Sequence, residues 1–91
     1  MRPRVSPRQD VGGSVISVRL FAAAAEAVGS DQTTVSADSA GGLRLALSRL
    51  GSDAPRVISQ CALLREGERL DDEAPLRDGD LVDVLPPFAG G

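Results

Sequence analysis

The sequence predicts an α+β fold: a mixed sheet of about five strands with one main helix packed on one face. Three observations carry this. Runs with a period of two stand at both ends, Val15–Phe21 and Leu81–Leu85. Between them, Leu43, Leu47 and Leu50 recur at helical spacing. Two pairs of short runs, each joined by a turn or a brief helical segment, flank that helix as hairpins do.

The elements follow in chain order. Met1 to Gly13 carries Arg, Pro and Gly with no periodicity and is expected to be a flexible extension, residues 1–13. Val15–Phe21 is the first strand, with Ile16, Val18 and Leu20 on one face and Ser17 and Arg19 on the other. Ala22–Val28 is Ala-rich and suits one or two helical turns, closed by Gly29. Gln32–Ala37, rich in Thr and Val, reads as an edge strand antiparallel to the first.

Asp38 or Ser39 caps the main helix, Gly41-Gly42 weakens its first turn and Gly51 closes it. Ser52–Val57, with Pro55, reads as a linker. Gln60–Arg65 is a third strand, Glu66-Gly67 a tight turn and Glu68–Leu70 a short fourth strand. Asp71–Leu76 is a polar loop. Arg77-Asp78-Gly79-Asp80 is a turn in which Gly79 suits positive φ. In the last strand Val82 and Val84 face the helix, and Leu81, Asp83 and Leu85 face away. The order makes the first and last strands central, parallel neighbours joined by a right-handed crossover. That arrangement is a β-grasp, or ubiquitin-like, domain over residues 14–85, with an extended tail over residues 86–91.

Composition narrows the chemistry. At 91 residues and 42% hydrophobic, the chain is long enough for one small core and too apolar for a disordered segment. With only Phe21 and Phe88 as aromatics, that core must be aliphatic. A net charge of −3 gives no electrostatic support for nucleic-acid binding. All ten basic residues are arginine, so no side chain offers an amine. One Cys and no His leave no metal-ligand set and no intrachain disulfide. Nothing resembles a signal peptide and no apolar run would span a bilayer, so a cytoplasmic protein without membrane contact is expected.

The stretch Leu85-Pro86-Pro87-Phe88-Ala89-Gly90-Gly91 closes the sequence. Proline cannot donate to a ladder, so pairing should stop at Pro86 and the chain should leave as a stiff arm with a reach of roughly 20 Å. Gly90 and Gly91 have no Cβ and fit a slot that side chains would block. A Gly-Gly end is also what a frayed terminus looks like. The proline pair and the lone Phe88 directly behind a core strand favour an arm presented to a partner, with Phe88 as its aromatic anchor. Arg19, Phe21, Leu81 and Leu85 should surround the root of that arm on the open face of the sheet, as a docking patch. Arg19 there faces a partner's acidic patch or simply water. Cys61 is expected mid-strand as a small buried hydrophobe, and Asp78 and Asp80 as turn formers.

Val18-Arg19-Leu20-Phe21-Ala22-Ala23, Leu76-Arg77-Asp78-Gly79-Asp80-Leu81-Val82 and the Pro-Pro-Phe-Ala-Gly-Gly end together resemble the MoaD/ThiS-type sulfur carriers, most closely the small subunits of molybdopterin synthase. The resemblance covers residues 15–91. It implies that the Gly91 carboxylate, on the narrow Gly90-Gly91 backbone, is adenylated by an E1-like adenylyltransferase/sulfurtransferase and becomes a thiocarboxylate. ATP is then used by that activating partner, and this chain binds no cofactor. It further implies docking of Leu85, Pro86, Pro87, Phe88, Ala89 and Phe21 against the synthase large subunit, which supplies the acid–base groups for sulfur transfer to a pyranopterin precursor. A carrier for cysteine or thiamine biosynthesis and a β-grasp interaction domain without tail chemistry are the alternatives. A ubiquitin-like modifier has no support in the sequence alone.

Overall fold

The computed structural model describes residues 14–87. The elements are β1 (Ser14–Leu20), α1 (Ala23–Val28), β2 (Gln32–Ala37), α2 (Ala40–Ser48), α3 (Ala54–Ile58), β3 (Ala62–Arg65), β4 (Glu68–Arg69) and β5 (Leu81–Leu85). They build one five-stranded sheet in the order β2-β1-β5-β3-β4. β1 and β5 are parallel, and the other pairings are antiparallel. This is the mixed β-grasp sheet that the sequence predicts, with β2 at the edge and β5 at the centre.

Period two decides what is buried. Ile16, Val18 and Leu20 of β1, Leu63 of β3, and Val82 and Val84 of β5 form the inner face of the sheet, and none is more than 2% exposed. Ala40, Leu43 and Leu47 of α2 cover them, joined by Ala24, Ala54 and Ile58 of the shorter helices. No polar or charged residue is buried among the described residues, so the core carries no desolvation penalty. No helix among them is long and apolar enough to cross a membrane.

Helix α2 starts at a capped end. The Ser39 hydroxyl accepts from Gly42 N at 3.1 Å, so Ser39 rather than Asp38 is the cap. The next free N–H groups donate to the 71–76 loop: Ala40 N to Ala74 O at 2.9 Å and Gly41 N to Asp72 O at 2.8 Å. A Cβ at Gly41 would sit 3.1 Å from Asp72 O, so the glycines that weaken the helix also let that loop close over its end.

The structure corrects the sequence reading at four places. Helix α2 stops at Ser48 with Arg49 as its cap, not at Gly51, and Leu50 is 44% exposed, off the buried stripe. Gly51 serves a different purpose: a Cβ there would collide with Ala27 O, so α1 and the α2–α3 connection approach backbone to backbone. The segment expected to be a linker contains α3. Pro55 lies in its first turn, where the missing N–H costs nothing, and Ala54 and Ile58 are buried one turn apart. Finally, β3 begins at Ala62, so Cys61 precedes the strand, although it is buried as expected at 4% exposure.

Candidate functional site

The site begins with how β5 is held. Its two flanks are both paired: Ser17↔Leu81 through Leu20↔Val84 on the β1 side, and Ala62↔Leu85 through Leu64↔Asp83 on the β3 side. A strand laddered on both sides cannot swing. β5 ends at Leu85, where Pro86 removes the next donor. Pro86 is buried and Pro87 exposed, so the root of the tail is packed against the domain at its first residue. Phe88, Ala89, Gly90 and Gly91 lie outside the described residues.

The turn before β5 sets its register. Gly79 has φ +93 and its N–H donates to Val15 O at 2.9 Å. Asp78 Oδ1 accepts from Val15 N at 2.8 Å, and Ser17 N donates to Asp80 O at 2.9 Å. Asp80 Oδ2 accepts from Arg77 N and from Arg65 Nη1, each at 2.9 Å. The Arg77 N–H, ahead of Arg65, holds the Asp80 carboxyl below the usual carboxylate range, against a smaller opposing effect of burial. Both aspartates are therefore turn formers, as the sequence suggests.

Around the tail root, the open face of the sheet carries Leu81 at 42% exposure, Asp83, the half-buried Leu85 and, from β1, Arg19. Phe21, 40% exposed, is tied to the C-terminal end of β5 by Phe21 N→Val84 O at 3.2 Å. The structure thus sets Phe21, just past the end of β1, beside the Leu85 end of β5, and leaves Leu81 at the opposite end of that strand, across from Ser17. Arg19 differs from expectation. Its guanidinium grips Asp83 with two hydrogen bonds, Nε–Oδ1 2.8 Å and Nη2–Oδ2 3.1 Å, and Asp83 raises its pKa further. The cation is matched within this chain rather than held out for a partner's acid.

Sequence reasoning missed two features of this region. Val15, 51% exposed, extends the apolar part of the open face along β1, a position that period two already assigns outward. Ala22 adopts φ 52, ψ −125, a conformation that favours glycine, in the tight turn closed by Ala24 N→Phe21 O at 3.0 Å. Nothing in an Ala-rich run signals that.

Cys61 does not join this surface. Its thiol points at Val57 O, 3.2 Å away, and burial pushes its pKa up, opposed in part by Arg44. No group of three or more His, Cys, Asp or Glu side chains gathers to hold a metal among the described residues. Among the described residues, the arrangement offers an open sheet face beside the point where β5 hands over to Pro86.

The ThiS family model matches residues 18–91. No curated protein matches the sequence. Among solved structures, the small archaeal modifier protein 1 of H. volcanii is 28% identical, with 82% of this chain and 99% of that chain covered and a TM-score of 0.69. The Haloferax volcanii HVO 2177 protein is 31% identical over 88% of this chain and 89% of that one, with a TM-score of 0.68. The complex of subunits 1 and 2 of molybdopterin-converting factor from Helicobacter pylori contains a chain with the same fold, 24% identical, covering 85% of this chain and 99% of that chain at a TM-score of 0.61. With a β-grasp sheet, a central strand that feeds a Pro-Pro-Phe-Ala-Gly-Gly end, and a family match across nearly the whole domain, the chain belongs to the ThiS family, the ubiquitin-like sulfur carriers of the MoaD/ThiS type.

Proposed function

We propose that this protein is the sulfur-donating small subunit of a molybdopterin synthase, with the carbonyl carbon of Gly91 as its working atom. The observation that carries the reading is that the ThiS family match runs through the Pro-Pro-Phe-Ala-Gly-Gly segment to residue 91. A carboxylate repels nucleophiles. Adenylation by an E1-like partner joins a Gly91 oxygen to the α-phosphate of ATP, releases pyrophosphate and supplies AMP as a leaving group. A sulfur donor then displaces AMP and leaves a thiocarboxylate. Gly90 and Gly91 admit the tail to the narrow slots of the activating enzyme and of a large subunit. Leu85, Pro86, Pro87, Phe88 and Ala89 fix its reach, and Phe21 completes the docking face. The large subunit provides the acid–base groups and holds the sulfur against the pterin precursor. The likeness to a chain of the converting-factor complex supports such a partner. This chemistry belongs in the cytoplasm, where ATP and reduced sulfur are supplied.

Co-expression with the cognate activating enzyme and a sulfur source tests it. The intact mass of the chain should rise by the difference between one sulfur and one oxygen, and deletion of Gly91 should abolish the gain without altering the fold. An unchanged mass under those conditions defeats the carrier reading. Transfer of the sulfur to a pyranopterin in the presence of the large subunit separates this reading from cysteine or thiamine biosynthesis.

A second reading, conjugation of Gly91 to amines of other proteins, is favoured by the 28% identity to an archaeal modifier protein. It shares the adenylation step and differs in outcome: covalent adducts of this chain on other proteins, in place of a free thiocarboxylate.

A further inference from the structure

The two edges of the sheet are treated differently. β4 is two residues long, Glu68 and Arg69, both charged and exposed. Short, charged edges resist pairing with other chains. β2 runs for six residues, Gln32–Ala37, with no charge, no proline and no bulge in its register with β1. Among the described residues it has none of the usual protection.

The backbone of β2 says which groups are open. Leu20 N donates to Asp31 O at 2.9 Å, so Asp31 turns its polar groups toward β1. Antiparallel ladders alternate, so Thr33, Val35 and Ala37 also bond β1, while Gln32, Thr34 and Ser36 turn theirs to the free edge. Gln32 is already served: the Ser30 hydroxyl donates to Gln32 O at 2.6 Å and accepts from Gln32 N at 3.3 Å. Among the described residues, what remains is the N–H and C=O of Thr34 and of Ser36.

We propose that this edge pairs with the same edge of a second copy of the chain, about a two-fold axis through Val35. In that register Thr34 lies opposite Ser36 of the other copy and exchanges both backbone hydrogen bonds with it, and the symmetry repeats the exchange. Every open group on the edge is satisfied, and the Ser30 cap on Gln32 stays in place. The two Val35 side chains, half-buried on the helix side, meet at the axis. No acid opposes an acid, because Asp31 falls opposite Ser39 and Asp38 opposite Gln32. The two five-stranded sheets become one continuous sheet. Its strands run in opposite directions across the axis, so the two Leu85 ends point away from each other and both open faces stay accessible. The proposal does not depend on the carrier reading.

Sedimentation velocity of the full chain from about 10 μM to about 1 mM, the range of weak contacts, tests it. The mass is expected to climb from one chain toward two. Ser36→Pro removes an edge N–H without touching the β1 ladder and should hold the protein at one chain with an unchanged circular dichroism spectrum. Thr34→Lys with Ser36→Lys sets lysine against lysine at exposed positions and should weaken the association at least tenfold. Thr34→Lys with Ser36→Glu sets opposite charges together and should restore it. A wild-type chain that sediments as one chain throughout, or a double-lysine variant that associates as well as wild type, overturns the proposal.

Discussion

Arg19 and Asp83 stand directly opposite each other on the two central parallel strands, 64 positions apart in the chain, with Arg19 Nε 2.8 Å from Asp83 Oδ1. The pair lies on the open face between Leu81 and Leu85. It matches charge at the centre of that face. A patch with one unmatched arginine would attract acids indiscriminately, whereas this one is apolar with a neutralised ion pair at its centre.

Because both partners reach solvent, with side chains 48% and 26% exposed, the pair should contribute little to stability. A double-mutant cycle of Arg19→Ala and Asp83→Ala, followed by urea denaturation, should give a small coupling that shrinks further in high salt. Coupling that persists at high salt would show that the site is drier than its exposure indicates.

Leu47 and Leu50 look equivalent in the sequence and are not in the fold. Leu47 is 0% exposed, so Leu47→Ala should cost about 3 kcal/mol. Leu50 is 44% exposed, and Leu50→Ala should cost under about 0.5 kcal/mol. Denaturant midpoints of the two variants check the contrast.

Two glycine substitutions should hurt for different reasons. Gly51→Ala drives a Cβ into Ala27 O and should cost about 2–3 kcal/mol, since backbone must move. Gly79→Ala meets open space, and only its φ of +93 opposes it, for about 1 kcal/mol. The reverse change, Ala22→Gly, relaxes a positive-φ residue and should stabilise by up to about 1 kcal/mol, net of the greater freedom gained in the unfolded chain. Thermal melts of the three variants should rank in that order.

Asp80 makes the acid limb of stability predictable. Its folded pKa lies below the unfolded value of about 3.9, so its contribution is complete above that value and is lost as pH falls through the folded one. Asp80→Asn should therefore be less stable than wild type at neutral pH. The gap should close as the pH is taken below about 4, read from urea midpoints across that range. A gap independent of pH would assign the loss to geometry rather than charge.

Cys61 should be inert in the folded protein, because its thiol is buried and its pKa raised. A thiol reagent should modify it at the rate of unfolding, and promptly once urea is added.

Much of this protein was legible before any coordinates. Period two in Val15–Leu20 and Leu81–Leu85, the helical spacing of Leu43 and Leu47, and glycine at the position that needs φ +93 are local consequences of backbone geometry, and local sequence carries them. The order of elements was enough to make β1 and β5 parallel neighbours and β2 an edge. Tertiary structure alone decided what depends on distant partners: that Pro55 opens a helix because Ala54 and Ile58 find the core, that Leu50 lies outside it, that Gly51 meets Ala27, and that Arg19 finds Asp83. Each depends on how segments far apart in the chain pack together. Residue pattern reports which way a side chain points, and only the folded packing reports what it meets there.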